Sequence, residues 1–382
     1  MQDAEIWKAL KKLRFEVECM DLPEHREVVL GYNAKISPEA RKLHDELVVM
    51  ECCSGGWITN YDWVLENAGI TAANLIVPDV VDPNAGAAIR NITHVHQTVN
   101  RCPDKLMLIN KVEDIYTAKR EGKVGLIIQA EHADFLLHRS ITASVEVFAM
   151  VGLKILQLTY SYRNFAADGC FTGDNAGITT HGKELIRAME GNGVTLNLSH
   201  VGERSTLEAM EYSTKPVLFT HSNPNKLFPH PRNISDEQIK RCAETGGVIC
   251  AAAYPEFLWD GENLPTIDKL VDAVRYIVDL VGIDHVGIAS NAQVQAASCD
   301  PYEMEDFNDI FPSCHGNTGT PPYLKAYREG LGIEAMDTRG FASVANFPNM
   351  TYKLLEAGFS KDEIKKIVGE NIIRVYKDTW KN

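Results

Sequence analysis

Eight apolar runs of strand length recur along this chain with helical stretches between them, and few folds can use that alternation. The runs are LVVMEC (47–52), AANLIV (72–77), VGLIIQAE (124–131), LKILQLTY (153–160), VTLNLSH (194–200), PVLFTHS (216–222), GGVICAAAY (246–254) and DHVGIASN (284–291). Between them, HGKELIRAMEGNG has helical spacing and a closing glycine, and SDEQIKRCAETGG opens on a serine cap with an acidic first turn. Continuous apolar strands alternating with helices predict a parallel sheet covered by helices. Eight such units predict a closed (β/α)8 TIM-like barrel. The competing architecture is an open doubly wound sheet. No GxGxxG follows the first run, so a dinucleotide site has no support.

Residues 1–45 read as a polar helical extension and 46–382 as the barrel. Within the barrel, 292–345 is rich in Asn, Asp, Pro, Gly and aromatics and reads as a long loop or C-terminal cap over the mouth. The tail after it reads as two helices, the second capped by Ser360. With 382 residues, 45% of them hydrophobic, the chain can bury a large core. Its formal net charge of −14 opposes nucleic acid or an anionic membrane as partner. No apolar run approaches the roughly 20 residues of a membrane span, and the N-terminal residues lack the apolar core of a signal peptide. A cytoplasmic protein with a small-molecule partner is expected. The nine cysteines are scattered and form no CxxC pair, so they read as thiols, not as a disulfide framework.

Three of the runs end on groups that bind metals: Glu131, His200 and His221. A barrel collects the carboxyl ends of its strands on one face, where catalytic groups gather. Two imidazoles and a carboxylate suit Zn²⁺ and also non-haem Fe²⁺. The alternative is three buried residues hydrogen-bonded to their neighbours. Cys52, at the end of the first run, is a ligand or a nucleophile if a nearby base or cation lowers its pKa, and otherwise a small buried hydrophobe. Period-two alternation sends Cys53 and Glu51 to the side opposite Cys52. Arg232 either binds a carboxylate, pairs with Asp236 or caps a helix. His132 is expected to point away from the interior and His230 to shape its loop, while His94 and His96 lie in a polar stretch with weak metal-ligand character.

Several segments together resemble the renal (membrane) dipeptidase family: VGLIIQAEH, LNLSHVGERS, VLFTHSNPNKLFPHPRNISDEQIKRCAETGGVI, TIDKLVDAVRYIVDLVGIDHVGIAS and GFASVANFPNMTYKLLEAGFSKDEIKKIVGENIIRVY. The resemblance runs from about residue 45 to the C-terminus. It implies a metal-dependent hydrolase barrel with a two-zinc site, and a homodimer. By position, Glu131 matches the bridging carboxylate, His200 and His221 the imidazole ligands of the second metal, and Arg232 the arginine that binds the substrate carboxylate.

The chain also departs from the family pattern. The family's first strand ends in Asp-Gly-His-Asn-Asp, whose His and last Asp hold the first metal. Here the run is Met50-Glu51-Cys52-Cys53-Ser54. Tyr160 stands where the family has a substrate-contacting histidine. Asn291 stands where it has an acid–base aspartate, and an amide cannot carry that proton. These departures imply one metal, zinc first and iron as the alternative, with Cys52 adding a thiolate where the family has histidine. They also leave Tyr160 or Cys52 to move the proton. The expected function is hydrolysis of a small amide- or dipeptide-like molecule bearing a carboxylate. The alternatives are a lyase, decarboxylase or iron-dependent reaction on a small acid, or an inactive barrel used for binding.

Overall fold

The computed structural model describes residues 30–54, 62–77, 83–291 and 338–381. Its strands, in chain order, are β1 Met50–Ser54, β2 Ala72–Ile76, β3 Leu106–Leu108, β4 Val124–Ala130, β5 Leu153–Gln157, β6 Thr195–Asn197, β7 Leu218–Phe219, β8 Val248–Ala252 and β9 Val286–Ala289. Pairing is parallel and runs β1-β2-β4-β5-β6-β7-β8-β9. These eight are the eight expected runs. The short β3 was not anticipated: it pairs with the first residues of β4, on the side away from β2, and β5 takes over that side from Ile128 onward. Three residues are too few to stand out as a period-two run.

β9 returns to β1, so the sheet is a nearly closed barrel and not an open one. At this seam Asn291 N donates to Cys53 O at 3.1 Å. Ser290 N donates to both carboxylate oxygens of Glu51, at 3.1 and 3.0 Å. A side chain thus replaces part of the ladder where the ring closes.

Alternation sorts the strand residues into two cores. Leu126, Ile128 and Ala130 of β4 face the helices in the larger cluster, while Ile127 joins Ala72, Ile155, Leu218, Val248, Cys250 and Ala289 inside the barrel. Full burial of each large aliphatic side chain stabilises by roughly 1.5–3 kcal/mol, so the pattern fixes the register. The helix Asn371–Thr379 adds Ile372, Ile373, Val375 and Tyr376 to the inner cluster and closes the N-terminal end of the barrel. Its Tyr376 hydroxyl donates to Asn74 Oδ1 at 2.7 Å, and Trp380 Nε1 donates to Thr195 Oγ1 at 3.0 Å.

Helix boundaries follow the local signals. Thr180–Asn192 begins on Thr179, whose side chain accepts from Gly182 N, and ends on Gly193 at φ 71°. Asp236–Glu244 opens on a capping box of Ser235 and Gln238. The tail forms Phe347–Glu356 and then a second helical stretch opened by a Ser360–Glu363 capping box. That stretch contains a π turn, Lys366–Glu370. A Cβ on Gly369 would lie 2.1 Å from Val48 O, so only glycine lets the turn pack against the entry to β1. Helix Pro38–Glu46, capped by Ser37, falls in the expected N-terminal extension. Residues 1–29, and 292–337 of the expected cap, lie outside the described residues. The remainder of that cap is buried apart from Arg339, with Phe341 and Val344 in the core. Among the described residues, no helix is long and apolar enough to cross a membrane.

Candidate metal centre

Glu131, His200 and His221 lie just past the carboxyl ends of β4, β6 and β7 and meet at one mouth of the barrel. His221 Nε2 is 3.2 Å from Glu131 Oε1, and His200 Nε2 is 4.0 Å from the same oxygen. The two rings are 4.9 Å apart, centre to centre. Burial lowers both imidazoles well below their ordinary pKa, and the Arg232 cation adds to this. They are therefore neutral near pH 7, the form that donates to a metal. Burial pushes the Glu131 carboxyl up to about 7, against the pull of Arg232, the Cys53 thiol and His132. His221 Nε2 faces that carboxyl without forming a hydrogen bond and is a buried nitrogen with no partner. Such an orphan is costly unless something fills the gap between the two groups. The residues present therefore fit a metal ion.

The rings are held from behind. His221 Nδ1 shares a 2.9 Å hydrogen bond with Thr220 Oγ1, which also accepts from Asn197 Nδ2 at 2.8 Å. Asn197 Nδ2 donates in turn to Gln157 Oε1, whose amide donates to Glu131 O at 2.6 Å. This chain of amides below the mouth fixes two of the candidate ligands together. His200 Nδ1 is held by Ser161 Oγ at 2.8 Å, and Tyr160 stacks on its ring at 4.2 Å. Among the described residues, four that are not glycine have positive φ: Ser161, Asn175, His200 and Asn291. Three of these line the mouth. Left-handed backbone at such residues costs energy and gathers where function sets the geometry.

On β1 the thiol that reaches the mouth is Cys53, not Cys52. Cys53 Sγ lies 3.5 Å from Glu131 Oε1 and 3.6 Å from Asn291 Oδ1, and Gln129 Nε2 donates to it at 3.7 Å. Cys52 lies deeper, its sulfur 3.8 Å from Met50 O and beside Cys250. Burial raises its thiol well above the ordinary range, and burial with the neighbouring carboxylates of Glu131 and Glu51 does the same to Cys53, so position and not acidity separates the two sulfurs. The physical reason is a bulge. Glu51 pairs with Ala73 but Ser54 pairs with Leu75, so two residues of β1 face Asn74 alone. Asn74 Nδ2 satisfies the carbonyl of Cys52 at 2.9 Å, and the alternation that would send Cys53 outward is broken. Glu51, which parity sends to the side opposite Cys52, accepts from Cys53 N at 2.7 Å and from Ser290 N. Burial raises its carboxyl to about 8.

Arg232 is 3% exposed and does not pair with Asp236, which instead accepts from Tyr276 Oη at 2.7 Å. Its Nη2 donates to His221 O at 3.3 Å, its guanidinium lies 4.9 Å over the Phe257 ring, and its Nε has no partner. Cys170, which the sequence did not single out, stands between Ser161 and Arg232. Three of the other histidines have protein neighbours outside the cluster of Glu131, His200 and His221. His132 packs on Phe135, His230 Nδ1 accepts from Arg232 N, and His96 bonds Val151 O from the middle of helix Ala85–Arg101.

A nearly closed parallel barrel with a carboxylate and two imidazoles at the carboxyl ends of its strands defines a class, the (β/α)8 barrel of the metal-dependent hydrolase type. The comparisons narrow it further. Residues 67–311 match the model of the membrane dipeptidase family, peptidase family M19, and the chain belongs to that family. It is 25% identical over 277 residues to the dipeptidase tcpJ of Claviceps purpurea, covering 72% of this chain and 56% of that one. To the dipeptidase verJ of Clonostachys rogersoniana it is 24% identical over 308 residues, covering 80% and 68%. The chain thus spans about half to two thirds of the length of these curated relatives. An amidohydrolase from Pseudomonas aeruginosa superposes with a TM-score of 0.77 at 28% identity, over 89% of this chain and 99% of that one.

Proposed function

We propose that this chain is a metal-dependent hydrolase acting on a small amide- or dipeptide-like molecule with a free carboxylate. One observation carries the reading: the partnerless Nε2 of His221 faces Glu131 in a buried mouth, beside a buried arginine that has no carboxylate partner among the described residues. Membership of a dipeptidase family and likeness to relatives named as dipeptidases support it.

Glu131, His200 and His221 would hold the ion, zinc by the preference of imidazole and carboxylate donors. When bound, it supplies Lewis acidity and a water of lowered pKa. Arg232 presents a planar fork to the substrate carboxylate. The Gln157–Asn197–Thr220 chain keeps His221 oriented, and Ser161 does the same for His200. Asn291 orients through hydrogen bonds and moves no proton. With Cys52 buried away from the mouth, the half-buried Tyr160 phenol is the proton carrier that remains of the expected pair. The same family resemblance carries the expectation of a homodimer; a monomer by light scattering would remove it.

The test measures bound metal by elemental analysis and hydrolysis of a dipeptide panel, for wild type and Glu131→Gln. About one zinc per chain together with dipeptide hydrolysis, both absent in the variant, is expected. A wild-type protein that hydrolyses no dipeptide when saturated with zinc refutes the proposal.

A further inference from the structure

We infer that Cys53 is a thiolate ligand, joining Glu131 and His221, its nearest neighbours among the three proposed ligands, in a mixed sulfur–oxygen–nitrogen site that selects a thiophilic divalent cation. The inference rests on the reading of the mouth as a metal site. It adds a donor on the strand where the family's own first-metal ligands are missing.

Three observations carry it. The ligand atoms of Cys53, Glu131 and His221 all lie within 4.8 Å of one another. Two of the spacings run from Glu131 Oε1, 3.2 Å to His221 Nε2 and 3.5 Å to Cys53 Sγ. Bonds of about 2.0–2.3 Å on one tetrahedral ion place neighbouring ligands roughly 3.3–3.7 Å apart, so these spacings need little change. His221 Nε2, on a fully buried ring, has no other partner. The sulfur also has its own support. Gln129 Nε2 donates to it at 3.7 Å, an outer contact suited to a thiolate. Its other neighbours, Glu131 Oε1 and Asn291 Oδ1, accept hydrogen bonds from the thiol. On coordination the S–H proton leaves to solvent and the sulfur–metal bond replaces it. The β1 bulge turns this sulfur toward Glu131. A thiolate donor favours zinc, cadmium or cobalt over magnesium or calcium.

The experiment titrates metal-free protein with Co²⁺ alone and follows its absorption in wild type, Cys53→Ser, Cys52→Ser and Cys53→Asp. A near-ultraviolet thiolate-to-cobalt charge-transfer band is expected in wild type and in Cys52→Ser. It should be absent from Cys53→Ser, and absent from Cys53→Asp even where an oxygen donor retains the cobalt. Cadmium affinity should fall at least about tenfold in Cys53→Ser, the lower end of what even outer-shell changes cost. Stoichiometric cobalt in wild type without the band, or a band that survives Cys53→Ser, overturns the inference and leaves the hydrolase proposal standing. The band without any dipeptide hydrolysis supports the ligand and sinks the proposed activity. Circular dichroism on each variant separates loss of the sulfur from loss of the fold.

Discussion

The two sides of the barrel mouth are built by different rules. On the β4 to β7 side, Glu131, His200 and His221 each follow a strand whose own side chains alternate without a break, and a ladder of amides beneath them sets their orientation. The one shift there falls in β5, where Ile128 and Gln129 of β4 pair with Leu153 and Ile155. On the β1 to β9 side, the strand is bulged and a carboxylate stands in for ladder bonds. The group presented there is Cys53, with Asn291 beside it. The first side keeps the metal-donor types that the family resemblance implies, with Tyr160 as its departure at a substrate-contact position. The second replaces all of them. A strand with regular pairing holds its side chains in place through the register, so change there is costly. A bulged edge at a seam can re-aim a side chain at little cost to the rest of the sheet. The departures at the family's metal-ligand and acid–base positions lie at the seam, whereas Tyr160, which stands for a substrate-contacting histidine, lies on the other side.

The largest effect that would break this comparison belongs to Arg232, which serves the conserved-type side. Arg232→Met keeps the volume over Phe257 and removes the charge. If the guanidinium binds a substrate carboxylate, kcat/KM should fall about 10- to 100-fold, as loss of a charged hydrogen bond of about 1.5–3 kcal/mol implies. The loss should sit mainly in KM and vanish for a substrate amidated at its carboxyl end. Equal losses for both substrates would make Arg232 a structural prop for His221 O.

The same contrast explains what was legible in the sequence. Eight of the strands were readable because their apolar runs are long and continuous; β3 was not, because three residues carry no period. Glu131, His200 and His221 were readable because a strand end plus a ligand-type residue is a local signal. Cys53 was not. Its parity argument was sound for a regular strand, and only the pairing with β2 shows the bulge that defeats it. The doublet Cys52–Cys53 gave no hint of which thiol would face the mouth. Gln129, Gln157 and Asn197 were also hidden: polar residues inside apolar runs become meaningful only once the barrel brings them together.

A smaller effect tests the seam through pH. Glu51 is protonated in the folded protein up to about 8 because burial raises it from 4.5, whereas in the unfolded chain it ionises near 4.5. A carboxyl raised on folding contributes stability that is fully present below 4.5 and is lost as pH rises through about 8. Metal-free wild type should therefore lose melting temperature across that window. Glu51→Gln keeps an oxygen for the Ser290 and Cys53 amides and cannot ionise, so its melting curve should change less with pH over the same range. Parallel pH profiles for the two proteins would mean that Glu51 is ionised at the seam and that its charge is compensated.

The smallest effect comes from the thiol that sits below the mouth. Cys52→Ala removes one buried sulfur from the inner cluster, next to Cys250, and should cost about 1 kcal/mol in chemical denaturation, a modest truncation on the usual scale. Bound metal, cobalt spectrum and kinetics should be unchanged. Sensitivity of the metal content to Cys52, with indifference to Cys53, would reverse the assignment of the two sulfurs. It would mean that β1 pairs with β2 in regular register when metal is bound, so that the bulge is not a fixed property of the strand. Because the two thiols are adjacent and equally buried, this pair of substitutions separates position from chemistry more cleanly than any other in the barrel.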